Sequence, residues 1–445
     1  MEFITLNIKE EATGNLSVKG WRYYFQNKII SLFFLGFSAG LPFPLVYSTL
    51  SAWLEEANIE RSTISTFAWL GFAYSFKFLW SPLVDSLPIP LLTRWLGRRR
   101  SWLLASQIGL GISIFVLSTI DPIYAIGAFT MAAILVALLS ATQDIALDAY
   151  RIEIAAIDMQ GLLAAAYQYG YRIAFAFGTA GALLIAEFGS WATSYKVMAI
   201  CMTIGIVTTL LSKEPETVVS VLSRRKGTKL QRLNQWTSEA VIGPFKDFMK
   251  RYGAWTFTLF AFIALFRISD YVMGILANPF YLDIGFSKTE IASVTKIYGL
   301  GIIMLGVAAG AAAILKFGVA RCIIIATILI ASTNLFFVGM AISGANLEML
   351  VVTITADNFA NGFAGTVFIA YLSSLTNVSF SATQYALLTS VSTFLGKFTA
   401  GYSGNIQEAI GWAGFFLYAA ALGLPAIILS IVIARGYKKI NSSNE

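Results

Sequence analysis

Histidine is absent from the 445 residues. The side chain that most often titrates near neutral pH is therefore missing. A Ser-His-Asp triad or a His-ligated metal site cannot be assembled, and any proton chemistry falls to carboxylates. Cysteine occurs twice, as Cys201 and Cys322, each inside an apolar run. That argues against a disulfide framework and against a Cys metal site. No G-x-x-x-x-G-K-[ST] stretch is present, which argues against ATP-driven work by this chain. Charge is scarce, at 12% of residues, where a soluble globular protein carries roughly 25%. No cleavable signal peptide is visible, because residues 1–28 are polar and the first apolar run is too long for a signal core. No catalytic, metal or cofactor site remains, so the chain does not read as an enzyme.

What is present is apolar. Hydrophobic residues make up 57% of the chain, with thirty-four Phe, nineteen Tyr and ten Trp. A bilayer core about 30 Å thick needs about 20 apolar residues per helix. Runs of that kind lie near 29–51, 63–82, 101–119, 123–147, 162–186 and 193–212. A polar stretch follows, and six more runs lie near 255–281, 290–314, 319–343, 347–373, 382–404 and 411–434. The expected fold is an all-α membrane protein of twelve transmembrane helices in two six-helix bundles. Its parts are a cytoplasmic segment 1–28, a bundle 29–212, a cytoplasmic linker 213–250, a second bundle 251–435 and a cytoplasmic tail 436–445.

The net charge is +7, and its placement excludes nucleic acid as the partner. With the N-terminus in the cytoplasm, 23 of the 31 Lys and Arg fall on the cytoplasmic side and three on the other, and five lie inside spans. This is the positive-inside pattern, with both termini cytoplasmic and anionic lipid as the neighbour of the surplus charge. The linker 213–250 reads as a solvated connector, with a regulatory role as its alternative.

The polar residues inside the runs are the candidate site, since charge at that depth is expensive. Asp144 and Asp148 stand four apart and stack on one helix face. They are costly there unless one is protonated or both find partners. Arg151 lies three residues past Asp148, so those two can form an interfacial ion pair. Asp144 is a turn deeper and is the better proton carrier. Gln168 and Arg172 follow in the fifth run, with Arg172 the expected counter-charge of Asp144 or the binder of an anionic solute. Arg267 and Asp270 stand at i and i+3 in the seventh run and can neutralise each other. Lys296 lies in the eighth run, Asp357, Asn358 and Asn361 in the tenth, and Ser390, Thr393 and Lys397 in the eleventh. Polar stripes of both signs in both halves imply a water-filled cavity. Lys77, close to the end of the second run, reads as snorkelling to the interface. Gly36 and Gly40 read as a close helix-packing pair, and Pro42 and Pro44 as a kink, static or moving.

Asp85 and the later Gly97-Arg98-Arg99-Arg100 resemble the cytoplasmic signature loop of the major facilitator superfamily. That signature holds its acid a few residues before the Gly-Arg pair. Here twelve positions separate Asp85 from Gly97, which leaves its latching role open. F-L-G-F-S-A-G-L-P, F-K-F-L-W-S-P-L-V-D, G-R-R-R-S-W-L-L, S-A-T-Q-D-I-A-L-D-A-Y-R, G-Y-R-I and S-F-S-A-T-Q-Y-A-L-L occur in that order. From about residue 29 to 430 the chain resembles the AmpG muropeptide permeases of that superfamily, whose relatives include the acetyl-CoA transporters.

The resemblance implies import of anhydromuropeptides, cell-wall turnover fragments, across the bacterial inner membrane by proton symport with alternating access. Carried over by position, Asp144, Asp148 and Arg172 match the fourth- and fifth-span motifs. Asp270 matches an acid in the seventh span, and Lys296 a basic residue in the eighth. Arg267 stands where the pattern has Lys, and Asp357 where it has Glu. Both keep the charge, but Arg is a planar fork and Asp is shorter. The expected proton-coupling set is Asp144, Asp148, Asp270 and Asp357. The expected substrate-binding set is Gln168, Arg172, Arg267, Lys296, Asn358, Asn361 and Lys397. Tyr167, Tyr171 and Tyr271 are placed to stack on sugar faces, or to serve packing alone. The expected partners are the solute, protons and membrane lipids, with no cofactor and a monomeric state. Another anionic solute, such as acetyl-CoA, a peptide or a sugar acid, is the alternative. A non-transporting sensor with dry bundles is the reading from another class.

Overall fold

The computed structural model describes residues 26–216 and 236–442. Residues 1–25, 217–235 and 443–445 lie outside the described residues. With them go most of the expected N-terminal segment 1–28, the middle of the linker 213–250 and the end of the tail 436–445. Lys9, Lys19, Arg22, Arg224, Arg225, Lys226, Lys229 and Arg232 of the charge count fall there too.

Among the described residues the secondary structure is helical throughout. In hydrocarbon every backbone N–H and C=O needs an internal partner, and a helix supplies them within one segment. Nine helices among the described residues are long and apolar enough to cross a membrane, or ten when the bent pair Leu347–Leu375 and Val378–Ala400 is taken as one span. Twelve runs were expected, and the difference has a local cause in two places. The 63–82 run is not one helix. It is a chain of short helical turns from Arg61 to Ser86, interrupted at Phe76 and at Trp80, with Pro82 in the first turn of the last piece. The runs 347–373 and 382–404 are counted together, because Leu347–Leu375 and Val378–Ala400 meet at a bend of 99°, and the boundary of the next run is shifted. One helix ends at Ala400, another resumes at Ser403, and Gly411 then takes a positive φ of 68°. That conformation suits glycine, which has no Cβ to clash, and it breaks the 34-residue stretch Ser403–Gly436.

Lipid gives helices no hydrophobic reason to associate, so close packing at small residues has to supply the attraction. Gly36 and Gly40 of helix Asn27–Gly40 do this against helix Gln160–Ala176. A Cβ on either would lie 2.3 Å from a backbone carbonyl oxygen, of Tyr167 and of Tyr171 respectively. Gly170 returns the contact, its Cβ position being 1.8 Å from the carbonyl of Phe33. In the second half of the chain Gly306 and Gly362 do the same between helices Gly299–Phe317 and Leu347–Leu375. The small-residue spacing seen at Gly36 and Gly40 thus marks a true helix crossing.

Two of the apolar clusters each keep to one half of the chain. One cluster runs from Leu41 to Met202, another from Val272 to Phe416. A small cluster of Leu162, Ala165, Val307 and Ala311 joins the two groups of helices. The polar contacts between the groups concentrate toward the end that carries residues 85–98 and 377–383.

Candidate functional site

Three layers of polar residues lie between the two groups of helices. The first is a latch at the end just described. Helix Ser381–Ala400 begins with free backbone N–H groups, as every helix does. Asp85 reaches across and caps it. Its Oδ1 accepts from Ala382 N at 3.1 Å, and its Oδ2 accepts from Thr383 N and Thr383 Oγ1, each at 2.6 Å. Arg99, fully enclosed, donates to Asp85 Oδ1 at 2.7 Å, to Glu153 Oε1 at 2.6 Å and to Ser381 Oγ at 2.9 Å. Ser381 Oγ donates to the same Glu153 oxygen at 2.5 Å. A buried pair needs extra hydrogen bonds to offset its lost hydration, and here each member has them. The long spacing between Asp85 and Gly97 does not prevent the contact, because short helical turns bring Asp85 back beside Arg99.

Glu214, just past helix Trp191–Leu211, secures the other side of this latch. Its carboxylate accepts the backbone N–H of Arg99 at 2.8 Å and of Arg100 at 3.0 Å, capping helix Arg98–Thr119. Gly97 (φ 82°) must be glycine for this approach, since a Cβ there would lie 2.3 Å from the Glu214 side chain. Burial raises the Glu214 carboxyl above the usual range, against the pull of the two N–H bonds.

The second layer is the acid pair of helix Ile126–Glu153. Asp148 is held from both sides, by Lys77 Nζ at 3.6 Å and Arg151 at 3.3 Å. Arg151 is fully buried, donates to Ser373 Oγ at 2.7 Å in the other group of helices, and lies 5.0 Å over the ring of Tyr385. Lys77 is 7% exposed, so it faces inward to Asp148 instead of snorkelling. Its irregular local backbone turns it there. Asp144 differs. Its Oδ1 is shut off from solvent and has no hydrogen-bond partner. The charges that act on it are Lys77 and Asp148, so the expected pairing with Arg172 is not formed.

Arg172 is half-buried and makes no hydrogen bond or ion pair among the described residues. One turn earlier Gln168 donates to Thr366 Oγ1 at 3.0 Å, and Tyr169 OH donates to the carbonyl of Met304 at 2.9 Å. The helix is thus pinned to the opposite group just before Arg172, which is left unpartnered. The charge that acts on it most is Arg267, across the divide.

The third layer is in the second group. Arg267 sits where helix Trp255–Leu265 breaks before Ile268–Asp283. It donates to Asp270 Oδ2 at 3.0 Å through Nε and bonds Asn361 Oδ1 through a terminal nitrogen. Asn361 also approaches Asp357 Oδ1 at 3.4 Å. Asp270, Arg267, Asn361 and Asp357 therefore form one connected group. Asn358 stands apart from it, packed against Gly299. Lys296 is exposed and has no partner among the described residues. Lys397 Nζ donates to Ser75 Oγ at 2.7 Å, a further tie between the groups. Tyr167 and Tyr171 lie 5.8 Å apart, and Tyr47, Tyr74 and Phe43 form a second aromatic set nearby. Tyr271 packs against Gly396.

Sequence reasoning passed over Glu153, Ser381 and Thr383 as latch members, and Lys77 as a partner of Asp148. The helix-start signature S-A-T at 381–383 was available as a signal. Two clefts of about 480 and 530 Å³ lie on the outside, one lined by Trp69, Leu70 and Leu138 and the other by Phe34, Val207 and Leu211. Neither touches the charged layers.

Comparison with known proteins decides the family. The chain is 32% identical over 426 residues to the anhydromuropeptide permease of Escherichia coli K12, covering 95% of this chain and 83% of that protein. It is 35% identical over 404 residues to the putative transporter AmpG 4 of Rickettsia conorii, covering 90% and 95%. The chain belongs to the AmpG permease family. It is a secondary transporter that takes a small-molecule solute, a multi-pass membrane protein and not an enzyme. The family described as acetyl-coenzyme A transporter 1 matches residues 28–188. Among solved structures, the proton:xylose symporter XylE superposes with a TM-score of 0.69 at 14% identity, over 92% of this chain and 95% of that one. A bacterial homologue of ferroportin in an outward-facing state superposes at 0.62 and 12% identity, over 93% and 99%. The fold is that of the major facilitator superfamily.

Proposed function

We propose that this transporter imports anhydromuropeptides from periplasm to cytoplasm across the bacterial inner membrane, in symport with protons, as a monomer. Its two halves, 29–212 and 251–435, rock about the central layers. The latch end, the linker and both termini face the cytoplasm, so the arrangement described is closed to the cytoplasm. The full count of twelve spans, including the broken segment 61–86, belongs to this reading.

The observation that carries the reading is Arg172. A guanidinium inside a membrane protein, held in place by the bonds one turn earlier and left without a partner among the described residues, is costly unless a solute completes it. An anion fits, and a muropeptide carries carboxylates. Arg267, Lys296 and Lys397 add positive charge on the other side. Gln168, Asn358 and Asn361 suit hydroxyls and amides, and the Tyr167–Tyr171 pair suits sugar faces. Asp144 has the environment of a proton carrier, with one oxygen enclosed and unpaired. Asp148 and Asp270 stand in ion pairs that a proton can break, and Asp357 accepts from Asn361 beside them.

A competition assay in vesicles tests the solute. Labelled anhydromuropeptide uptake should be reduced by unlabelled muropeptide and not by acetyl-CoA. The match to the acetyl-coenzyme A transporter family over 28–188 favours the second reading, in which acetyl-CoA competes instead.

A further inference from the structure

The transport reading does not use the helical segment 236–252. It consists of a wide turn Thr237–Ile242 and a helix Gly243–Tyr252, with Pro244 near the helix start, where proline fits. One face is fastened to both groups of helices. Trp236 Nε1 donates to Ser86 Oγ at 2.8 Å. Gln384 Nε2 donates to the carbonyl of Pro244 at 2.9 Å and to Asp247 Oδ2 at 2.8 Å, and Arg251 donates back to Gln384 Oε1 at 2.8 Å. Phe248 is buried on this face.

The opposite face has no partner among the described residues. Ile242, Phe245 and Met249 are 43%, 37% and 54% exposed. Their spacing of three and four places them on one stripe. Lys246 and Lys250, one position after Phe245 and Met249, are exposed and flank that stripe. Only Gly253 and Ala254 separate the helix from Trp255, where a membrane-crossing stretch begins. The stripe therefore lies at the level of the membrane boundary. An apolar stripe edged by lysine, in the plane where spans begin, has the chemistry of a helix that lies in the headgroup region.

We propose that helix 236–252 binds an anionic lipid surface through this outer face. Ile242, Phe245 and Met249 enter the acyl boundary, and Lys246 and Lys250 meet the headgroup phosphates. Its inner face holds Ser86 and Gln384, one from each group, so the lipid seat bears on the latched arrangement.

The test uses the full chain with Cys201→Ser and Cys322→Ser and a fluorophore on Met249→Cys. The protein is reconstituted in phosphatidylcholine vesicles with or without phosphatidylglycerol, and spin-labelled lipid serves as quencher. Quenching should occur and should rise about twofold or more with phosphatidylglycerol. Lys246→Gln with Lys250→Gln should remove that rise and leave the basal quenching. Absence of quenching in both lipids overturns the proposal, as does disulfide-linked dimer at position 249. Equal quenching in the two lipids overturns the anionic assignment.

Discussion

The carboxylate of Asp85 accepts the backbone N–H of Thr383 at 2.6 Å, across 298 positions of sequence. One side chain thereby caps a helix of the other group and joins the two. Hydrogen bonds to a charged group contribute about 1.5–3 kcal/mol each. Asp85→Asn weakens the cap and the bridge to Arg99 together. The latched state should lose roughly 2–3 kcal/mol, a shift of about 30–150-fold toward opening at that end. Spin-label distances across the latch end check this, and an unchanged distance distribution argues against it.

The crossing of helices 27–40 and 160–176 tolerates nothing larger than glycine at its centre. Gly170→Val should lower the unfolding midpoint in detergent by the equivalent of about 3 kcal/mol, the upper part of the range for overpacking, because the obstacle is backbone. Gly127→Ala is the control. Its Cβ would meet nothing within 4 Å, and the midpoint should hold or rise slightly.

Glu214 supplies a pH signature outside the spans. Burial raises its carboxyl above the ordinary value in the folded protein. The folded state therefore binds the proton more tightly than the unfolded one. Its contribution to stability is full below the ordinary carboxylate range and is lost as pH rises through the raised value. Glu214→Gln stays neutral, so the difference between the two unfolding curves should grow from about pH 4 and level off above the raised value. A difference that does not change with pH contradicts this.

Arg172→Gln should raise KM for the solute by about 10–100-fold, the loss of one charge-assisted contact, with the fold intact by unfolding midpoint. Arg267→Gln should cost stability as well, because it leaves Asp270 without its 2.9 Å partner. A KM unchanged by Arg172→Gln removes this residue from the solute site.

Much of this was legible from residue chemistry. The i,i+3 spacings of Asp148 with Arg151 and of Arg267 with Asp270 become ion pairs in space, because helical rise fixes neighbours three apart. Gly36 and Gly40 likewise mark a real crossing. The misses are of another kind. Lys77 was read as part of a regular helix, and the short turns from Arg61 to Ser86 turn it inward. Asp144 lacks a local partner and Arg172 lies on the next span, which suggests a pair, yet distance in space is set by the packing of whole helices. Ser381 and Thr383 show in the sequence only as a helix start, and Glu153 carries no signal of its own, since the latch depends on two groups of helices meeting.

The central claim is that an enclosed Asp144 links proton movement to solute import through a site completed by Arg172. Uptake of labelled anhydromuropeptide into vesicles, with and without an inward proton gradient, for the unaltered chain and for Asp144→Asn, tests it most directly. The account predicts gradient-driven accumulation by the unaltered chain. Asp144→Asn should keep solute binding and equilibrate the solute without accumulating it. Accumulation that ignores the gradient, or that survives Asp144→Asn undiminished, contradicts it.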